Sequence, residues 1–161
     1  MSALPDWMRP PRAEGWFAED LDHLPDAPRH TEPIDGALVF AMSPQRSWPG
    51  RLVTALTTAL MAQAPADIGV EREMTIRLDA RNRPEPDLLL TDLPYDPHRT
   101  WYAPENVKLV VEAVSPESAH GDRTVKLRKY AETGIFRGTL QRPVPFEVSL
   151  DLDKLTPPRN T

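Results

Sequence analysis

Two short runs constrain this chain more than any other feature. Residues 87–90, DLLL, and 107–114, VKLVVEAV, are apolar without the strict alternation of a strand that has one face in water. Such runs fit strands covered on both faces, and those need a layer above and a layer below their sheet. Each run also carries a carboxylate. Asp87 opens the first, directly after Pro86, and Glu112 lies in the second on the same side of a strand as Val110 and Val114. A carboxylate flanked in this way is costly to bury unless a metal ion or a cation compensates it.

The surrounding segments predict an α/β (α+β) domain with a mixed central sheet flanked by helices. Residues 16–24 have the spacing of a short helix that Pro25 and Pro28 end. Asp35-Gly36 is a turn, and residues 36–44 read as the strand after it. Ser47 is placed to cap a helix with Pro49 in its first turn. Its Leu52, Val53, Leu56, Leu60 and Met61 recur at helical spacing and are expected to face the core. Residues 69–78 alternate, with Val70, Met74, Ile76 and Leu78 on one side, and predict one half-buried strand. A turn over 79–83 and a loop over 92–106 follow. Asp122 is expected to cap a helix from Arg123 to Glu132 that Gly134 closes. Phe146, Val148, Leu150 and Leu152 alternate as a last strand would.

At 161 residues, 40% of them hydrophobic, the chain is expected to form one domain over 16–158, with a flexible arm at 1–15 and a tail at 159–161. The absence of cysteine excludes disulfides, thiolate metal sites and thiol nucleophiles. No segment has the apolar length of a membrane span and no secretory signal opens the chain, so a cytoplasmic protein is expected. The net charge of −5 lacks the basic excess of a protein that coats nucleic acid. Local clusters would have to serve instead: Arg77, Arg81 and Arg83, then Arg123, Lys126, Arg128 and Lys129. The four histidines lack metal-ligand spacing, and the seven glycines form no phosphate-binding loop.

The acids are therefore the centre of any chemistry. On adjacent strands, Asp87 and Glu112 can share a magnesium ion, which takes few carboxylates and keeps several waters. Lys126 lies one turn after Asp122 and one turn before Tyr130, so these three share a helix face. Spacing alone leaves Lys126 open between an exposed partner of Asp122 and a group that stabilises charge at phosphorus.

Four stretches carry a resemblance: FAEDLDHLP, TEPIDGALVFAMSPQ, EREMTIRLDARNRPEPDLLL and VVEAVSPESAHGDRTVKLRKYAETGI. From Trp16 to Pro158 they resemble the Uma-two endonuclease-like family of the PD-(D/E)xK nuclease superfamily. The resemblance implies a restriction-endonuclease-like core with its site at the sheet edge. It implies magnesium, with manganese as a substitute, held by Asp87 and Glu112, with Glu32 as a further acid. The superfamily's usual lysine position is Val114 here, and the family's lysine maps onto Lys126. DNA is the implied partner; the basic clusters offer Arg81, Arg83 and Arg123 as the expected backbone contacts, and exposed sheet edges would allow a homodimer suited to two-strand cutting. The chain departs from the family at Ala37, where a second acid is usual. It departs again near residues 134–137, where pieces that family members separate by further strands are joined. The function expected is magnesium-dependent hydrolysis of DNA. The alternatives are a non-catalytic DNA-binding or assembly module on the same fold, and hydrolysis of another phosphate ester.

Overall fold

A computed structural model describes residues 5–40, 47–113, 125–132 and 150. Their elements are β1 (Glu32–Ile34), β2 (Ala37–Val39), α1 (Ser47–Gln63), β3 (Gly69–Arg72), β4 (Thr75–Ile76), β5 (Leu88–Thr91), β6 (Trp101–Tyr102), β7 (Val107–Val111) and α2 (Leu127–Glu132), with three short 3-10 turns. The fold is α+β.

The first apolar run becomes β5, the middle strand of an antiparallel sheet ordered β3-β5-β7. Its residues Leu88, Leu89 and Leu90 have no exposed surface at all. The two faces of the strand enter different cores. Leu88 and Leu90 pack against Val53, Leu56 and Leu60 of α1. Leu89 points the other way, into a cluster with Ile76, Leu78, Tyr102, Val107 and Tyr130. That is why the run does not alternate: α1 covers one face of β5, while β4, β6 and α2 supply the cover of the other. Burying each leucine stabilises the fold by about 1.5–3 kcal/mol.

The expected helix forms over Ser47–Gln63, so Ser47 is its first residue rather than its cap, and Pro49 lies in the first turn where no intrahelical N–H is lost. Met61 is a correction: it is 62% exposed and belongs to the outer face. The strand expected over 69–78 is also corrected, because it breaks at Glu73, whose φ is +53°. The break sends β3 into an antiparallel pairing with β5, while β4 pairs in parallel with β6. Val70 consequently joins the α1 side, and Met74, Ile76 and Leu78 the other. Within the loop expected over 92–106, β6 and a 3-10 turn at Pro104–Asn106 are found.

The turn at Asp35-Gly36 joins β1 to β2 as a two-residue hairpin, with both φ values positive, +50° and +86°. Only glycine fits the second position. A Cβ there would stand 1.8 Å from the Arg81 guanidinium. The helix expected over 16–24 is a 3-10 helix, Ala18–His23, whose Asp20 accepts the Phe17 N–H and a two-point bond from Arg12. No helix among the described residues is long and apolar enough to cross a membrane. The end of the strand expected to reach residue 44, the Asp122 cap and Arg123 lie outside the described residues. So do the junction near 134–137 and the last strand apart from Leu150, which packs on the α1 side.

Candidate active site

β5 and β7 pair with Leu88 opposite Val111. One step further along this antiparallel register, Asp87 stands opposite Glu112, just past both strands. Directly opposed residues project to the same face, with Cβ atoms about 4.5–5.5 Å apart. The face follows from parity. Asp87 shares its side with Leu89, and Glu112 with Val110, both of which pack in the cluster that holds Tyr130. The two acids thus open on the side where α2 lies. Asp87 is further fixed by its Oδ2, which accepts the Ala113 N–H at 2.6 Å, and by its carbonyl, which accepts the Glu73 N–H at 3.3 Å.

Lys126 reaches this face from the turn that opens α2. Its Nζ lies 2.8 Å from Glu32 Oε1 and 3.4 Å from Glu112 Oε1, and it donates to the Glu85 carbonyl at 3.0 Å. All three side chains are nearly buried: 13% of Lys126, 11% of Glu32 and 9% of Glu112 are exposed. One turn on, the buried Tyr130 hydroxyl donates to Glu112 Oε1 at 3.1 Å. Glu32 sits at the start of β1, and its Oε1 also accepts the Glu85 N–H at 2.6 Å. The segment Pro84-Glu85-Pro86 is therefore the hinge of the site. Its flanking prolines restrict the backbone, and Glu85 turns its N–H to one acid and its carbonyl to the lysine.

The Glu85 side chain meets His30 Nδ1 at 2.5 Å. Burial raises the Glu85 carboxyl above the ordinary range. The contact with His30 offsets part of that rise, while the charges of Glu32 and Glu73 add to it. One residue before Tyr130, Lys129 bonds Asp35 at 2.5 Å and thereby holds that carboxyl below its usual range. His30, Asp35 and Glu73 are the non-glycine residues with positive φ among those described, at +62°, +50° and +53°. Each contacts a group of this site or of α2. Strained backbone concentrates where a constellation must be held in place.

The arrangement is an oxygen-only donor set beside one ammonium. Its chemistry fits a hard divalent cation such as magnesium or manganese, for which one or two carboxylates with water suffice. Among the described residues, no three histidine or acidic side chains are gathered closely enough to enclose an ion by themselves.

Two of the three arginines expected on DNA, Arg81 and Arg83, are engaged within the protein. Arg83 is 2% exposed. Its guanidinium is spent inside the protein on Thr75 Oγ1, the carbonyls of Ala18 and Thr100, and Asp22 at 2.9 Å. The physical reason is that four acceptors converge on one planar fork, a role lysine cannot fill. Arg81 is half-buried against Phe17, and its Nη2 donates to the carbonyls of Glu14 and Asp35. Arg123 lies outside the described residues. Residues that sequence reasoning left out of the site are His30, Glu85 and Tyr130. Only Tyr130 had a signal, its helical spacing from Lys126.

Residues 18–148 match the family model "Uma2: Putative restriction endonuclease". No curated protein matches the chain.

Proposed function

Because the chain belongs to the Uma2 family, whose model spans most of its length, we propose that it is a metal-dependent endonuclease that hydrolyses DNA phosphodiester bonds. The observation that carries this reading is the convergence on Lys126. A single ammonium from α2 meets Glu32 of β1 and Glu112 at the end of β7, while the strand register sets Asp87 opposite Glu112. A mere surface lysine would not be buried between two acids from separate elements.

Asp87 and Glu112 would hold the divalent ion, with Glu32 reaching it through a water molecule, since three carboxylates are not gathered closely enough to ligate it directly. A divalent ion bound there supplies Lewis-acid polarisation of the phosphoryl oxygens and a more acidic water. The residues of the chain do the rest. Tyr130 and Lys126 fix the rotamer of Glu112, so the acid meets the substrate without reorganising. The Glu85 N–H and Lys126 do the same for Glu32. Lys126 places its positive charge where negative charge grows on phosphorus during in-line displacement, which is the transition-state term that preorganised cations supply. Burial of all three side chains strengthens these interactions by excluding water.

One observation favours a second reading, that of a DNA-binding or assembly module on the nuclease fold. The ion pairs to Glu32 and Glu112 already compensate Lys126, so the cluster is satisfied as a structural element. Plasmid cleavage separates the two. The intact chain is expected to nick supercoiled DNA with magnesium or manganese, and Glu112→Ala and Asp87→Asn are expected to lose that activity. Equal activity in all three proteins would sink the proposed site. Binding without cleavage by the intact chain would establish the second reading.

A further inference from the structure

Among the described residues, Arg83 is buried and Arg81 is committed to backbone carbonyls, so neither is placed to take a substrate strand. A pair of arginines gathered on Glu73, at the edge of the sheet where the strand carrying Asp87 begins, meets that need. Arg29 lies just before β1 and Arg72 ends β3, and both turn to the carboxylate of Glu73. Arg29 Nη2 is 3.8 Å from Glu73 Oε2 and Arg72 Nη2 is 3.7 Å from Glu73 Oε1. The Arg29 side chain is 86% exposed and that of Arg72 41% exposed. Two positive charges thus share one negative charge and face water.

Their place in the fold ties them to the site. Glu73 is the residue whose left-handed backbone breaks the long strand, and its N–H donates to the Asp87 carbonyl. Arg29 precedes His30, which contacts Glu85. Both arginines therefore hang from backbone bonded to, or adjoining, the segment that carries Asp87 and Glu85. Their ion pairs with Glu73 are long and exposed, and such pairs contribute little, on the order of 0–1 kcal/mol. A phosphate with free oxygens and a planar fit to guanidinium is a better partner.

We propose that Arg29 and Arg72, gathered on Glu73 at the sheet edge next to Asp87, form the surface that grips the phosphodiester backbone of DNA as it runs toward the acid–lysine cluster. The inference rests on the nuclease reading of that cluster, but it concerns binding and is tested without cleavage. Glu73 holds the two guanidinium groups side by side in the free protein and yields them to the phosphates. The overall charge of −5 is then no obstacle, because the contact is local.

The test is fluorescence-anisotropy titration of a short DNA duplex with the full chain in EDTA, over about 50–200 mM salt, where phosphate contacts dominate the salt dependence. The double variant Arg29→Ala/Arg72→Ala is expected to lower the slope of log affinity against log salt by about 1.8, or about 0.9 per phosphate contact. Affinity at 0.1 M salt is then expected to fall about 60-fold, which is that slope change carried from a 1 M reference. Arg29→Lys/Arg72→Lys keeps the charges and is expected to keep the slope. Glu73→Gln removes the competing carboxylate and is expected to tighten binding about two- to five-fold, the worth of an exposed pair. Lys108→Ala, which removes one charge at the far end of β7, is the control and is expected to leave the slope unchanged. A double-alanine slope equal to that of the intact chain overturns the proposal while the nuclease reading stands. So does a loss seen only on an RNA duplex. Failure of the intact chain to bind DNA at low salt overturns both.

Discussion

Lys126→Met removes the charge from the centre of the site while keeping much of the side-chain volume. Glu32 and Glu112 are about nine-tenths buried, and in the native chain both point an oxygen at the Lys126 ammonium. Without it, two acids face one another in a poorly solvated space. Breaking a buried ion pair from one side costs about 3–5 kcal/mol, mostly for the charge left behind. At about 2–4 °C per kcal/mol for a domain of this size, the melting midpoint falls by roughly 6–20 °C. The cost belongs to uncompensated charge, so a second substitution should recover part of it. Lys126→Met/Glu112→Gln is expected to be more stable than Lys126→Met alone, because the neutral amide still accepts from Tyr130. Urea unfolding of the four proteins of this cycle measures the coupling. A loss under about 1 kcal/mol for Lys126→Met, or additive effects in the cycle, would refute the buried-triad reasoning and return Lys126 to the solvated surface.

Other perturbations test the frame that holds the site. Leu89→Ala opens a cavity between β5 and the Tyr130 cluster and is expected to cost about 2–5 kcal/mol in denaturant unfolding. Gly36→Ala is expected to cost about 1–3 kcal/mol in the same assay, since its φ of +86° disfavours a side chain and the new Cβ strikes Arg81. The hydrogen bond from Arg83 holds the Asp22 carboxyl below its usual 3.8. A lowered folded value means stability that is present above pH 3.8 and lost as pH falls from there through the folded value. Asp22→Asn should therefore flatten the acid limb of a stability-against-pH curve, and an unchanged limb would show that the pair carries no linkage.

The parts of this fold that were legible were those with a strong local cause. The run at 87–90 lacks alternation because both faces of β5 are covered, whereas β7 is less enclosed, with Lys108 exposed and Leu109 to Val111 half-buried. The hairpin turn was legible because Asp35-Gly36 supplies the two positive φ values the turn needs. Long-range choices were not. The alternation over 69–78 continues in the letters straight through Glu73, and only the competing partners β5 and β6 break the strand there. β1 was missed because it is three residues long with Pro33 at its centre. Arg83 follows a polar turn and so reads as a solvent-facing cation, whereas acceptors from three separate segments draw it inside. The position of Lys126 came from family resemblance, since helical spacing alone allowed an exposed role. His30 and Glu85 are 55 residues apart, and neither shows its partner in its own neighbourhood.

The central claim is that the acids around Lys126 cut DNA. The most direct measurement is the single-turnover nicking rate of a supercoiled plasmid by the intact chain and by Glu112→Gln, each confirmed folded by its melting curve, in magnesium and in EDTA. The account predicts magnesium-dependent nicking by the intact chain and a rate at least about 100-fold lower for Glu112→Gln, which keeps the shape of the side chain and removes its charge. Nicking that persists in EDTA, or at an equal rate in the folded Glu112→Gln protein, would contradict it.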